Sequence, residues 1–253
     1  MRREGRAFLS AIGFLTRVRV PAGPADTWRA DLARAPRYFP LVGGLIGALT
    51  GLAFWACCHV VPVPLAAALA LVFEALLTGA FHEDALADYC DAFGGGQTSA
   101  RVLEILKDSR LGSYGALGLG LGVLVRWSAM AALPLGLIIP ACMAAGAIGR
   151  FGAVLAMRLL PPAPARESLS KDVGARISDR AVVFSTGLAV LASVPALLVA
   201  PVAVFVGIGL AVLPLAYICR AMKRVAGGAV GDGLGAITYI AQALCLVAFA
   251  ARP

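Results

Sequence analysis

The chain has 253 residues, 60% of them hydrophobic and only 14% charged, and its mean hydropathy is +0.87. These values lie far outside the range of soluble domains and exclude an ordinary water-soluble enzyme or binding module. The net charge of +8 does not mark a nucleic-acid binder, because the basic residues fall between apolar runs and not on one amphipathic face.

The first stretch, MRREGRAFLSAIGFLTRVRVP, sets arginines before a short apolar patch from Ala7 to Leu15. The patch runs into Arg17 and Arg19 without a small-residue cleavage site, which predicts an interfacial amphipathic helix and not a signal peptide. Eight arginines against three acids up to Arg37 assign this segment to the cytoplasmic side. A first span is predicted from Tyr38 to about His59, with Gly43, Gly44, Gly47 and Gly51 giving small faces for close helix packing. A second, from Pro64 to Phe81, contains Glu74, which either faces a polar cavity or pairs with an arginine. A third runs from Leu111 to Arg126 and Trp127, residues that suit an interface. The fourth follows the Pro134 to Pro140 turn and reaches Met157. Arg150, near its inner end, snorkels or meets an anionic substrate group. A basic loop over 158 to 180, two spans between Ala181 and Cys219 and a last span from Leu234 to Ala250 complete the chain.

The fold class is therefore all-α: a polytopic membrane bundle of about seven spans. An N-terminal interfacial helix and a cytoplasmic amphipathic helix accompany it, and residues 1–253 form a single domain. Counting spans puts four charged segments, the N-terminus, 82 to 110, 158 to 180 and 220 to 233, on the cytoplasmic face. The six cysteines are scattered, mostly within apolar runs, without metal-like spacing and read as packing residues.

Residues 82 to 110 carry the densest chemistry, with six carboxylates, Glu83, Asp84, Asp88, Asp91, Glu104 and Asp108, within 26 positions. Asp84, Asp88 and Asp91 are spaced i, i+4 and i+7, so in a helix they share one face. Such hard oxygen donors favour Mg²⁺ or Mn²⁺ over Zn²⁺; the alternative is a solvated acidic face. Gly94, Gly95 and Gly96 then form a turn that admits a phosphate or is merely flexible. Lys107 and Arg110 beside Asp108 form a phosphate clamp with a further metal ligand, or ordinary charge at a helix end. In GGAVGDGLGA, glycines 227, 228, 231, 233 and 235 predict a backbone-exposing turn before a helix. Asp232 there is a candidate substrate ligand or a capping residue.

HEDALADYCDAFGGG followed by ARVLEILKDSRLGSYGALGL closely resembles the HxDGLADxxDG and MLEIMKDSRxGxxG signatures of the cobalamin synthase family, the adenosylcobinamide-GDP ribazoletransferases. GFLTRVRVP at 13 to 21, YFPLVGGLIGAL at 38 to 49, Gly149-Arg150 with Arg158, and GGAVGDGLGA at 227 to 236 resemble further family blocks in the same order. The resemblance covers about residues 8 to 250. The chain departs from the pattern at Ala85 and Ala92, where the family usually has glycine, and at Glu83, where many members are apolar. Tyr239 and Gln242 occupy a helix that often carries glutamates in the family.

The resemblance implies a multi-pass enzyme of the bacterial cytoplasmic (inner) membrane, with its N-terminus and active site facing the cytoplasm. Its reaction would join adenosylcobinamide-GDP to α-ribazole or α-ribazole 5′-phosphate and release GMP. The implied site has Asp84, Asp88 and Asp91, with Glu83 or Asp108, holding Mg²⁺. Lys107, Arg110, Arg150 and Asp232 would contact substrate, and His82 or an aspartate would accept the hydroxyl proton. The implied partners are these two substrates and the lipid bilayer, with no nucleic acid; a homo-oligomer or a complex with pathway enzymes is left open. A CDP-alcohol-type phosphatidyltransferase is a competing reading, but Asp84-Ala85 is followed by Asp88 and not by that class's Ala-Arg pair. A cation or corrinoid transporter would instead place polar groups near the midplane and show an internal repeat.

Overall fold

The computed structural model describes residues 3–21, 27–96, 98–108, 110–163 and 177–251. Most of the basic loop expected over 158–180 lies outside the described residues. Among these residues the secondary structure is helical: α1 (Arg3–Leu15), α2 (Trp28–Arg34), α3 (Phe39–Cys57), α4 (Val63–Thr78), α5 (Phe81–Gly95), α6 (Ser99–Ile105), α7 (Ser113–Ala131), α8 (Ile138–Leu159), α9 (Asp179–Val199), α10 (Pro201–Ala226) and α11 (Gly231–Ala250). Six helical stretches are long and apolar enough to cross a membrane, and α4 with α5 adds a seventh only as a pair bent by 91°.

The packing is that of a protein dissolved in lipid. Large apolar side chains such as Leu52, Leu76, Leu117, Leu198, Phe205 and Leu213 point outward, where hydrocarbon is as good a solvent as the core. Small residues instead hold the helices together. A close approach joins α3 and α8, where a Cβ on Gly43 would strike the Gly146 carbonyl and one on Gly47 the Cys142 carbonyl. In sequence these glycines looked suited to close packing, and α8 is the partner they admit.

The right-angle bend between α4 and α5 comes from two successive left-handed residues, Gly79 at φ 72° and Ala80 at φ 56°. Glycine enters this region freely, whereas alanine does so at a cost that its surroundings must offset. The N-terminal segment supplies a restraint: the Arg17 N–H donates to the Leu77 carbonyl at 2.8 Å, and the Arg17 side chain occupies the space where a Gly79 Cβ would sit. The bend lays the acidic segment against the bundle. This segment forms α5, which packs against α7 and α11.

Arg126 is not the interfacial residue that its place in the sequence suggests. The expected end of the third span lies well inside α7, and Arg126 is only 2% exposed. A charge there has no interface to reach, so it needs a protein counter-ion.

The N-terminal ends of α3, α5 and α11 and the C-terminal end of α8 meet at one end of the bundle. Phe14 of α1 stacks on Phe39 and meets Phe81 edge-on, and a small cavity of about 50 Å³ is lined there by Phe14, Phe39, His82, Arg150, Met157 and Gly231. The chain after α8 is pinned to the α10–α11 turn, where the Ala229 N–H donates to the Pro161 carbonyl at 2.7 Å and the Ala163 N–H to the Ala229 carbonyl at 3.0 Å. The turn expected to expose its backbone is thus closed over: a Cβ on Gly228 would strike Pro161, one on Gly233 Met222, and one on Gly235 Ala85.

Candidate active site

The stripe predicted by the i, i+4, i+7 spacing exists on α5, but its members have different surroundings. Asp84 is exposed and Asp88 half-buried, whereas Asp91 is buried. One oxygen of Asp91 accepts the Gly112 N–H at 2.7 Å and the other the Gly115 N–H at 2.7 Å. These are donors of the first turn of α7, otherwise without intrahelical partners, and a carboxylate there also meets the positive end of the helix dipole. Glycine is needed at both positions, because a Cβ at either would collide with the Asp91 carboxylate.

The other predicted ligands are also engaged. Glu83 lies 3.3 Å from the Arg126 guanidinium. Asp108 holds Arg110 through both Nε and Nη2, the latter at 2.7 Å. That hydrogen bond with the Arg110 side chain is the main reason the Asp108 carboxyl is pulled down to about 2. Among the described residues no group of three or more His, Cys, Asp or Glu side chains is placed to hold a metal ion. Asp84 and Asp88 lie one turn apart on α5, the first exposed and the second half-buried. Two carboxylates suit Mg²⁺, which keeps several waters and commonly combines one or two carboxylates with substrate phosphates.

His82 and Asp84, two residues apart, lie on opposite sides of α5. His82 is buried in the small cavity beside Arg150. Lys107 and Arg110 are exposed, as a phosphate clamp requires. Asp232 sits in the first turn of α11 and is half-buried.

Arg150 belongs to an interior network that sequence reasoning saw only in part. Its Nη1 donates to the Gln242 side-chain carbonyl at 2.5 Å, and Gln242 Nε2 donates to Glu74 at 3.1 Å. Glu74, 3% exposed, pairs with Arg126 at 2.5 Å and lies 4.0 Å from Arg150. Arg126 also rests over the Tyr239 ring, 5.3 Å from its centroid. Two carboxylates, Glu74 and Glu83, thus balance two guanidiniums among helices α4, α5, α7, α8 and α11. The sequence offered one signal, an acid inside an apolar run, and pairing with an arginine is the option realised.

The fold and this polar end define a multi-pass helical membrane protein whose exposed carboxylates and basic side chains gather around α5 and the segment before α7. A family model described as cobalamin-5-phosphate synthase matches residues 7–250. The chain is similar to adenosylcobinamide-GDP ribazoletransferases from several bacteria. It is 39% identical to that of Azorhizobium caulinodans over 95% of this chain and 92% of the relative. It is 39% identical to that of Leptothrix cholodnii over 97% and 93%, and 37% identical to that of Ralstonia pickettii over 97% and 95%. No solved structure matches it. The chain belongs to the cobalamin-5-phosphate synthase family.

Proposed function

We propose that this protein is an adenosylcobinamide-GDP ribazoletransferase. It joins adenosylcobinamide-GDP to α-ribazole or its 5′-phosphate, with release of GMP, at the cytoplasmic face of the bacterial inner membrane. The observation that carries this reading is the Asp91 clamp, which locks the segment bearing Asp84 and Asp88 to the segment bearing Lys107 and Arg110. No comparable observation favours a phosphatidyltransferase or a transporter.

The chemistry is phosphoryl transfer. The ribose hydroxyl oxygen bonds to the phosphorus nearest the corrinoid, the bridging P–O bond to GMP breaks, and the hydroxyl proton passes to a base. Such a reaction needs alignment and charge neutralisation more than a covalent nucleophile. Lys107 and Arg110, both exposed, bind the diphosphate oxygens, with Arg110 oriented by Asp108. Asp84 and Asp88 fit Mg²⁺, which would neutralise charge on the diphosphate when bound. Asp84, the more exposed of the two, is the better placed to accept the hydroxyl proton, because His82 is turned into the protein interior. Arg150 and Asp232 then act from behind, Arg150 by holding α8 to α11 and Asp232 from the first turn of α11.

The test is a two-substrate assay in lipid. Release of GMP in step with the joined corrinoid product, and only when both substrates are present, supports the reading. GMP release from adenosylcobinamide-GDP alone would indicate a hydrolase and sink it.

A further inference from the structure

A second cavity, distinct from the small one around His82, opens between α5, α6 and the C-terminal part of α10. It encloses about 380 Å³ and is lined by Tyr89 and Phe93 of α5, Thr98 and Ser99 at the start of α6, and Tyr217 and Arg224 of α10. That volume lies within the range of roughly 300–1,000 Å³ in which small-molecule sites fall. Arg224 is the sole charged group among the lining residues, so the cavity favours an anion. Tyr89 and Phe93 stack on one another with centroids 4.5 Å apart and planes at 23°, an aromatic wall that a third ring can join only on an outer face of the pair. The Tyr89 hydroxyl in that wall is buried with no hydrogen-bond partner among the described residues, a cost that a polar ligand atom beside it would relieve.

Aromatic wall, hydroxyls and a lone guanidinium together match one kind of molecule. A planar base stacks on the rings, ribose hydroxyls meet the Thr98 and Ser99 side chains, and a phosphate meets the arginine. We infer that this cavity binds an aromatic-base nucleoside 5′-phosphate. The inference rests on the transferase reading above, in which both the leaving GMP and the incoming α-ribazole 5′-phosphate have that chemistry. Tyr89 and Phe93 lie on the flank of α5 away from Asp84 and Asp88, so the cavity is a separate binding region on the far side of that helix.

GMP and α-ribazole 5′-phosphate are titrated separately, by calorimetry, into the full chain in lipid nanodiscs, as wild type, Arg224→Gln and Phe93→Leu. Arg224 is exposed, so its substitution leaves folding intact, and a melting curve checks this for both variants. One of the two nucleotides should bind the wild type, naming the occupant, and its affinity should fall about fivefold or more in each variant. If α-ribazole 5′-phosphate is the occupant, unphosphorylated α-ribazole should respond to Phe93→Leu but not to Arg224→Gln. Failure of both nucleotides to bind the wild type, or binding unchanged in both variants, overturns the inference. The two readings fail separately: wild-type GMP release with variant-insensitive binding removes only the subsite, whereas variant-sensitive binding without any turnover removes only the reaction.

Discussion

The Asp91 carboxylate accepts the Gly115 N–H at 2.7 Å, across 24 residues of chain. With the second bond to Gly112, this single side chain ties α5 to the start of α7 and fixes the direction in which Lys107, Asp108 and Arg110 leave α6. It also explains why two glycines follow the basic cluster at that spacing: each leaves room for the same carboxylate.

Asp91 and Asp84 should therefore respond differently to the same change. Asp91→Asn replaces an acceptor oxygen with a donor that faces a backbone N–H, and should destabilise the protein by about 2 kcal/mol. Asp84→Asn, at an exposed position, should leave the melting temperature unchanged while turnover falls by about 100-fold or more, in the range for loss of a general base. Thermal melts in detergent beside turnover measurements check both.

Ala85 stands where the family pattern usually has glycine, and it faces Gly235 so closely that a Cβ there would collide with it. Gly235→Ala should cost about 1–3 kcal/mol through overpacking between α5 and α11. Adding Ala85→Gly should restore most of that loss. Additive effects in the double-mutant cycle would contradict direct contact.

Breaking the interior network should be severe. Glu74→Gln leaves Arg126 and Arg150 with one carboxylate, Glu83, and should cost about 3–5 kcal/mol. The yield of folded protein should collapse. Combining it with Arg126→Gln should recover folded protein, because the charge balance returns; size-exclusion profiles read the outcome.

Asp108 should show its depressed pKa only in acid. Its carboxyl titrates at about 2 when folded, below its ordinary 3.8, so the Arg110 contact stabilises above the unfolded value and that contribution is lost as pH falls through the folded one. Arg110→Gln should shift the melting temperature by a constant small amount from pH 5 to 8, with the difference from wild type closing between about pH 4 and pH 2. Melts across that series provide the check.

Composition and the spacing of apolar runs made the helical bundle legible, because lipid demands long apolar helices whatever their partners. The acidic stripe was legible for a similar local reason: i, i+4, i+7 defines a helix face. Local spacing could not show which neighbour that face meets, so Asp91 read as one of three equivalent ligands until Gly112 and Gly115 came into contact with it. The right-angle turn depends on Ala80 adopting a conformation its side chain disfavours, with Arg17 latched nearby, and no local rule signals that. The pairing of Glu74 with Arg126 joins residues 52 positions apart in sequence. Each placed alone looked like an odd polar residue or an interface marker, and only the packing of α4 against α7 made them a pair.

The most direct measurement is a single-turnover reaction in lipid nanodiscs: chelated protein is mixed with adenosylcobinamide-GDP and α-ribazole 5′-phosphate, and Mg²⁺ is then added. Little GMP is expected before Mg²⁺ and afterwards a burst equal to the corrinoid product formed, absent in Asp84→Asn. Full turnover in chelator by wild type and Asp84→Asn alike would contradict the role given to α5, and Mg²⁺ addition that yields neither GMP nor joined product would contradict the reaction itself.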